Sequence, residues 1–297
     1  MEKEEQIAVV EGLNSHGFIF QKACVDQIKK GYTSHNWRIS VEEYPTIFED
    51  RQTRIDFILR SALYQPNNFR NRFIVAECKR ANPKYSNWVF FKEDNPAKKY
   101  FLLNGQYSPT SGQTYTFMDI FGKIENYPYC LDIFKKSIFV DTGVETTSKN
   151  PKGKGSATET IENACQQVIT GLHGLVMDHM EAVKSEGKPQ YDLAYIPLVI
   201  TTANLYVTNY DSSKVNISAG TIAGEDISFT SANWVIYNWS GIGNPLEKVV
   251  SAGGRQKGNI FSPPMDSQEM KEKYLRRSII VVNSNHLIPL LGSLSFD

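Results

Sequence analysis

The sequence predicts a mixed α/β fold: a mixed sheet flanked by helices, with an aromatic-rich insertion and a C-terminal extension. Three observations carry this. Segments with helical apolar spacing alternate with short runs of β-formers. The 297 residues have ordinary globular composition, 41% hydrophobic and 22% charged, enough for a large core. The stretch 84–155 differs from the rest, because it holds 14 of the 35 aromatic residues and ends in the basic run Lys149-Asn150-Pro151-Lys152-Gly153-Lys154-Gly155. It reads as an inserted subdomain that interrupts a discontinuous core of residues 1–83 and 156–297, the latter part carrying C-terminal strands.

Asn14 or Ser15 is placed to cap a first helix ending at Lys30, where Gly31 stops it. Phe18, Ile19, Cys24, Val25 and Ile28 mark its apolar face. Trp37 to Glu43 alternates as a half-buried strand does, until Pro45 and the polar Glu49-Asp50-Arg51-Gln52. Thr53 to Arg60 is rich in β-formers and predicts a second strand. A loop over 64–71 leads into Arg72 to Arg80, a buried strand that becomes charged only at its C-terminal end. Ser156-Ala157-Thr158-Glu159 has the form of a capping box. Ile161, Ala164, Cys165, Val168, Ile169, Leu172, Leu175 and Val176 then recur with a helical period. Strands are expected over 191–210 and 227–239, a polar helix over 266–277, and a last buried strand over 278–282.

Lysine plus arginine equals aspartate plus glutamate at 32 each, which excludes a polybasic nucleic-acid coat. Nucleic-acid contact must then come from local clusters such as Lys98-Lys99, Lys149 to Lys154, Arg255-Lys257 and Arg276-Arg277. No apolar run approaches the ~18 residues of a spanning helix. The acidic start Met1-Glu2-Lys3-Glu4-Glu5-Gln6 is unlike a secretory signal. A soluble, cytoplasmic protein without a membrane partner is expected. The four cysteines lie far apart and form neither a disulfide framework nor a zinc spacing. The phosphate-cradling, dinucleotide, zinc-protease and serine-hydrolase motifs are all missing.

What remains is E-x-K, present three times. Glu186-Gly187-Lys188 lies in a loop sequence, and Glu269-Met270-Lys271 in a polar helical one. Only Glu77-Cys78-Lys79 ends a run of strand-forming apolar residues. The period of two puts Glu77 and Lys79 on one side, with Val75 behind them and Cys78 opposite. Charges at the end of a buried strand are costly unless they serve each other or a cation. Asp56 is a second such charge, mid-strand among Ile55, Phe57 and Ile58. If the two strands pair as a hairpin, Asp56 falls beside Glu77. Two close carboxylates raise each other's pKa unless a hard cation lies between them, and magnesium favours such oxygen ligands.

At these residues the chain resembles the PD-(D/E)XK nuclease superfamily, with its restriction-endonuclease-like core of helix, β-meander, helix and strand. The resemblance covers about residues 14–80 and 156–208. It implies Asp56, Glu77 and Lys79 as catalytic residues, with Ile55 replacing the proline that names the motif. It also implies a Mg2+ ion (Mn2+ may substitute) held by Asp56, Glu77 and the main-chain carbonyl of Cys78. Gln21, in Gly17-Phe18-Ile19-Phe20-Gln21, stands at an accessory first-helix position where many members carry Glu. Restoring an acid there is expected to tighten metal binding. Gln167, followed by Val168, matches a further catalytic Gln, with Gln166 as the competing register. The implied function is a metal-dependent endonuclease acting on DNA rather than RNA in restriction or antiphage defence, as a homo-oligomer or with a targeting partner protein. The rival readings are a non-catalytic nuclease-like binding or scaffold subunit, and a nuclease acting on RNA. The presence of all three motif residues favours catalysis.

Overall fold

In the computed structural model the described residues are 3–15, 17–48, 51–65, 68–93, 103–108, 114–117, 137–147, 159–186, 191–240 and 276–294. Two helices, α1 (Lys3–Ser15) and α2 (Phe18–Lys30), precede three long strands: β1 (Arg38–Phe48), β2 (Arg51–Gln65) and β3 (Asn68–Lys79). Then come β4 (Asn87–Lys92), β5 (Leu103–Ser108), β6 (Thr114–Phe117), β7 (Phe139–Thr146) and the helix α3 (Glu159–Glu186). The chain continues with β8 (Tyr191–Thr201), β9 (Asn204–Tyr210), β10 (Ile227–Ala232), β11 (Trp234–Ser240), β12 (Arg276–Asn283) and α4 (Leu287–Ser293).

These strands form one mixed sheet in the order β1-β2-β3-β8-β12-β11-β7-β4-β9-β10, with β5 joined to β8 and β6 to β5. The meander β1-β2-β3 is antiparallel, whereas β3, β8 and β12 run parallel. Central strands are apolar on both sides, as burial under two helical layers requires. Ile196, Leu198 and Ile200 of β8 pack with Cys24, Val25 and Ile28 of α2 and with Leu287, Leu290 and Leu291 of α4. Tyr195 and Val199 pack on the other face, with the apolar stripe Ile161 to Val176 of α3. No helix among the described residues is long and apolar enough to cross a membrane.

Several local expectations change. The expected helix starts later, at Phe18, after Gly17, whose φ of 75° is a left-handed conformation that glycine adopts freely, and a further helix, α1, precedes it. Asn14 and Ser15 therefore belong to α1 and cap nothing in α2. Phe18 and Ile19 are exposed, and buried Gln21 takes a place on the inner face. Strand β1 runs through Pro45, which an edge strand tolerates because one side of its backbone has no ladder to supply. Much of the predicted loop over 64–71 is strand: β2 runs to Gln65 and β3 begins at Asn68, pairing with β8 from Phe69 onward. Arg276 and Arg277 open β12 rather than close a helix.

The capping box lies outside the described residues except for Glu159. At the start of α3 the N–H groups of Thr160 and Ile161 donate to Glu145 Oε1 on β7, at 2.7 and 3.2 Å. The ends of the 84–155 stretch enter the main sheet, with β4 between β7 and β9. Trp88, Phe90 and Val140 join the same cluster as α3.

Candidate active site

The ladder between β2 and β3 is regular up to Phe57 opposite Ala76. The next positions along are Asp56 and Glu77. There the side chain of Asp56 takes over from the backbone: its Oδ2 accepts the Cys78 N–H at 2.7 Å. On its other side β3 stays paired with β8 as far as Lys79 opposite Thr201, which holds the end of the strand rigid. Lys79 Nζ lies 2.8 Å from Glu77 Oε1. Glu77 is 5% exposed. The three residues that the E-x-K reading brings together are therefore adjacent.

Alternation along β3 explains their side. Val75 packs towards α3 and Ala76 towards α2, so Glu77 and Lys79 share the α3 side while Cys78 turns towards Cys24. In an extended residue the N–H and C=O point the same way. The Cys78 N–H meets Asp56, so the Cys78 carbonyl faces that side as well.

Around Asp56 the alternation fails, in both strands at the same level. Ile55 and Ile58 both pack towards α3, with only Asp56 and Phe57 between them, and so do Val41 and Tyr44 of β1. Glu42 reaches over to Lys22 and Lys29 of α2. Glu43, opposite Asp56, has a φ of 56°, the only left-handed non-glycine among the described residues. Its carboxylate accepts from Gln21 Nε2 and from Arg54 Nε, the latter at 2.9 Å. Gln21 Nε2 also donates to the main-chain oxygen of Asp56 at 2.9 Å. Gln21 thus reaches the site as a donor that fixes the Asp56 backbone, not as an acceptor facing a cation. Sequence reasoning missed Glu43, because its position depends on a backbone conformation that no side-chain pattern signals.

Burial pushes the Asp56 carboxyl up to about 6, against the pull of the Cys78 N–H and Lys79. Glu77 rises to about 7, from burial first and the Asp56 charge second, with Lys79 opposing. Glu43 pushes both in the same direction. Three acids therefore face one lysine and one arginine, and two of them resist ionisation.

Gln167 lies on α3 and is exposed, like Gln166. Four residues on, Gly171 packs on Ile55, next to Asp56; a Cβ there would lie 2.6 Å from Ile55 Cγ1. Gln167 lies one helical turn before Gly171, and no hydrogen bond ties it to Asp56, Glu77 or Lys79 among the described residues. The basic clusters at 98–99, 149–154 and 255–257 lie outside those residues.

No family model, curated protein or solved structure matches the chain.

Among the described residues no group of three His, Cys, Asp or Glu side chains is spaced to hold a metal ion. A cation at this site would rest on two carboxylates, Asp56 and Glu77, and the Cys78 carbonyl. That donor set is all oxygen, which suits a hard cation that keeps several of its own waters. It also suits the electrostatics: two close carboxyls held towards neutrality lose their mutual repulsion when a divalent charge lies between them.

Proposed function

We propose that this chain is a magnesium-dependent nuclease of the PD-(D/E)XK type, hydrolysing DNA phosphodiester bonds in restriction or antiphage defence, with Mn2+ able to substitute. The observation that carries the reading is the pairing of half-buried Asp56 and buried Glu77 from neighbouring strands, with Lys79 on Glu77 at 2.8 Å. The order α2, β1-β2-β3, α3, β8, with β8 beside and parallel to β3, supports it.

The roles follow from the contacts. Asp56, Glu77 and the Cys78 carbonyl would hold the cation, which supplies charge neutralisation on the phosphate and a more acidic water. Glu77 keeps the Lys79 ammonium at the strand end, where its donors orient a water oxygen or a phosphate oxygen. Gln21 fixes the backbone beneath Asp56, so the carboxylate keeps its direction as charge develops nearby. Gln167 is assigned a supporting place beside this end of the sheet, where an exposed amide can reach substrate.

The test is incubation of the purified chain with plasmid DNA and with RNA, in magnesium, manganese or EDTA. Cleavage of DNA is expected with either ion and none in EDTA. Asp56→Ala, Glu77→Ala and Lys79→Ala should each reduce cleavage by a factor of about 100 or more, on the order of what a positioned acid–base group contributes. A folded Glu77→Ala protein with wild-type cutting would reject the site. Cutting of RNA alone would move the substrate class.

A further inference from the structure

The segment that leaves the E-x-K strand is locally basic in an electrically neutral chain. From Cys78 to Lys92 there is no acidic residue, while Lys79, Arg80, Lys84 and Lys92 are cationic. Arg80 and Lys84 lie in the loop between β3 and β4 and are exposed. The loop is held at both ends. The Ala81 N–H donates to Thr202 Oγ1 at 2.9 Å, and the Asn204 N–H to Ser86 O at 2.9 Å. Within it, the Lys84 N–H donates to Asn82 Oδ1 and the Tyr85 N–H to Asn82 O, at 2.9 and 2.8 Å. Such a loop presents its cations at fixed positions, with little ordering left to do on binding.

The other cations near the site are engaged: Lys22 and Lys29 with Glu42, Arg54 with Glu43, Lys79 with Glu77. Arg80 and Lys84 have no carboxylate partner among the described residues. Arg80 does donate to the Asn14 carbonyl at the end of α1, which uses one of its five donors. The loop also sits where the parallel strands β3 and β8 end, at Lys79 and Thr201, the edge at which open α/β sheets receive ligands.

We propose that the loop 80–86 is the surface on which the phosphate backbone of the nucleic acid lies, with Arg80 and Lys84 as phosphate contacts. This rests on the nuclease reading and adds to it the path by which the strand approaches Asp56 and Glu77. A phosphate backbone matches an exposed, acid-free row of cations beginning one residue after Lys79.

The experiment measures equilibrium binding of a short fluorescent DNA duplex and of a matching RNA strand to the full chain in EDTA, from about 50 to about 200 mM salt. Removing one cation that pairs with a duplex phosphate should flatten the plot of log affinity against log salt by about 0.9. Arg80→Gln with Lys84→Gln should flatten it by roughly 1.8, and Lys84→Gln alone by roughly 0.9. The single variant leaves the Arg80 bond to α1 intact, so its effect is separate from any loosening of that helix. Lys214→Gln, at an exposed lysine in the turn Ser212–Lys214, should leave the slope unchanged. An unchanged slope in the double variant, with a wild type that binds and cleaves, overturns this assignment and leaves the nuclease reading standing. A wild type that neither binds nor cleaves overturns both. A flattening of roughly 1.4 on the single RNA strand, with RNA as the tighter ligand, keeps the loop assignment and changes the substrate.

Discussion

At Asp56 and Glu77 the cost of burying two acids becomes a measurable pH dependence. Both carboxyls titrate above their ordinary range, near 6 and 7, so in this window the folded chain keeps protons that the unfolded chain has already lost. Their contribution to stability is therefore greatest below about pH 4 and is lost as the pH rises through about 7. In EDTA, Glu77→Gln, which never ionises, should match or exceed the wild type in thermal midpoint at pH 8. It should lose that advantage at pH 4.5. Added magnesium should raise the wild-type midpoint at pH 8 and leave the variant almost unmoved. A wild type that stabilises relative to Glu77→Gln with rising pH in EDTA would contradict the burial argument. These two acids and Lys79 were legible in the sequence, because period two and the cost of mid-strand charge both act on residue identity. Gln21 was singled out in the sequence, but its contacts were not legible there. Its amide donates to the Glu43 carboxylate and to the Asp56 carbonyl, so Gln21→Glu sets acceptor against acceptor. The expected result is a metal-free chain destabilised on the order of 2 kcal/mol, measured by urea unfolding, rather than a simple gain in metal affinity.

Helix α3 shows the same division at the level of an element. Its apolar stripe, Ile161 to Val176, is fully legible, since eight residues at helical spacing can bury only one face. How closely it lies on the sheet is set by residues that such a stripe ignores. A Cβ on Gly174 would lie 2.2 Å from Thr46 Oγ1 and 3.0 Å from Thr46 Cβ. Thr46 is buried and donates to Asp178 Oδ2 at 3.1 Å, so it has little freedom to yield. Gly174→Ala gains about 1 kcal/mol of helix propensity but forces an overlap that costs about 1–3 kcal/mol. A net loss of stability is expected in urea unfolding. Thr46→Ala in the same chain should recover part of it, as contacting residues do in a double-mutant cycle. Stabilisation by Gly174→Ala alone would mean that the helix is not seated as described. The part that Glu145 plays at the start of α3 was hidden for a related reason. Glu145 reaches it from β7, 15 residues before Thr160, beyond the four-residue span that a local capping motif reads.

For the whole molecule, the aromatic content of 84–155 suggested a separate unit, and composition alone cannot show which neighbours those rings meet. Trp88 and Phe90 of β4 lie in the core beneath α3. Strand β7 pairs with both β4 and β11, so among the described residues β9 joins β12 only through β4, β7 and β11. Deleting 84–155 takes out β4 and β7 and cuts β9-β10 off from the rest of the sheet. That protein is expected to be insoluble or to lack a cooperative melt. Deleting only 94–136 is a different operation. The Glu93 N–H donates to Phe139 O at 2.9 Å, so the cut ends already meet and a short linker can join them at little entropic cost. This deletion takes away β5, which pairs with Leu193 and Tyr195 of β8, and so leaves the first half of β8 with an open edge. The shorter deletion should therefore fold, with a cooperative transition at a lower midpoint than the full chain. It should also retain metal-dependent cleavage, since Asp56, Glu77, Lys79 and the loop 80–86 all lie outside the cut. Circular dichroism melts of the two deletions, run beside the plasmid assay, decide the matter. A soluble, cooperative 84–155 deletion would show that β4 and β7 are dispensable to the sheet, and failure of the 94–136 deletion to fold would show that the core depends on the segment between them.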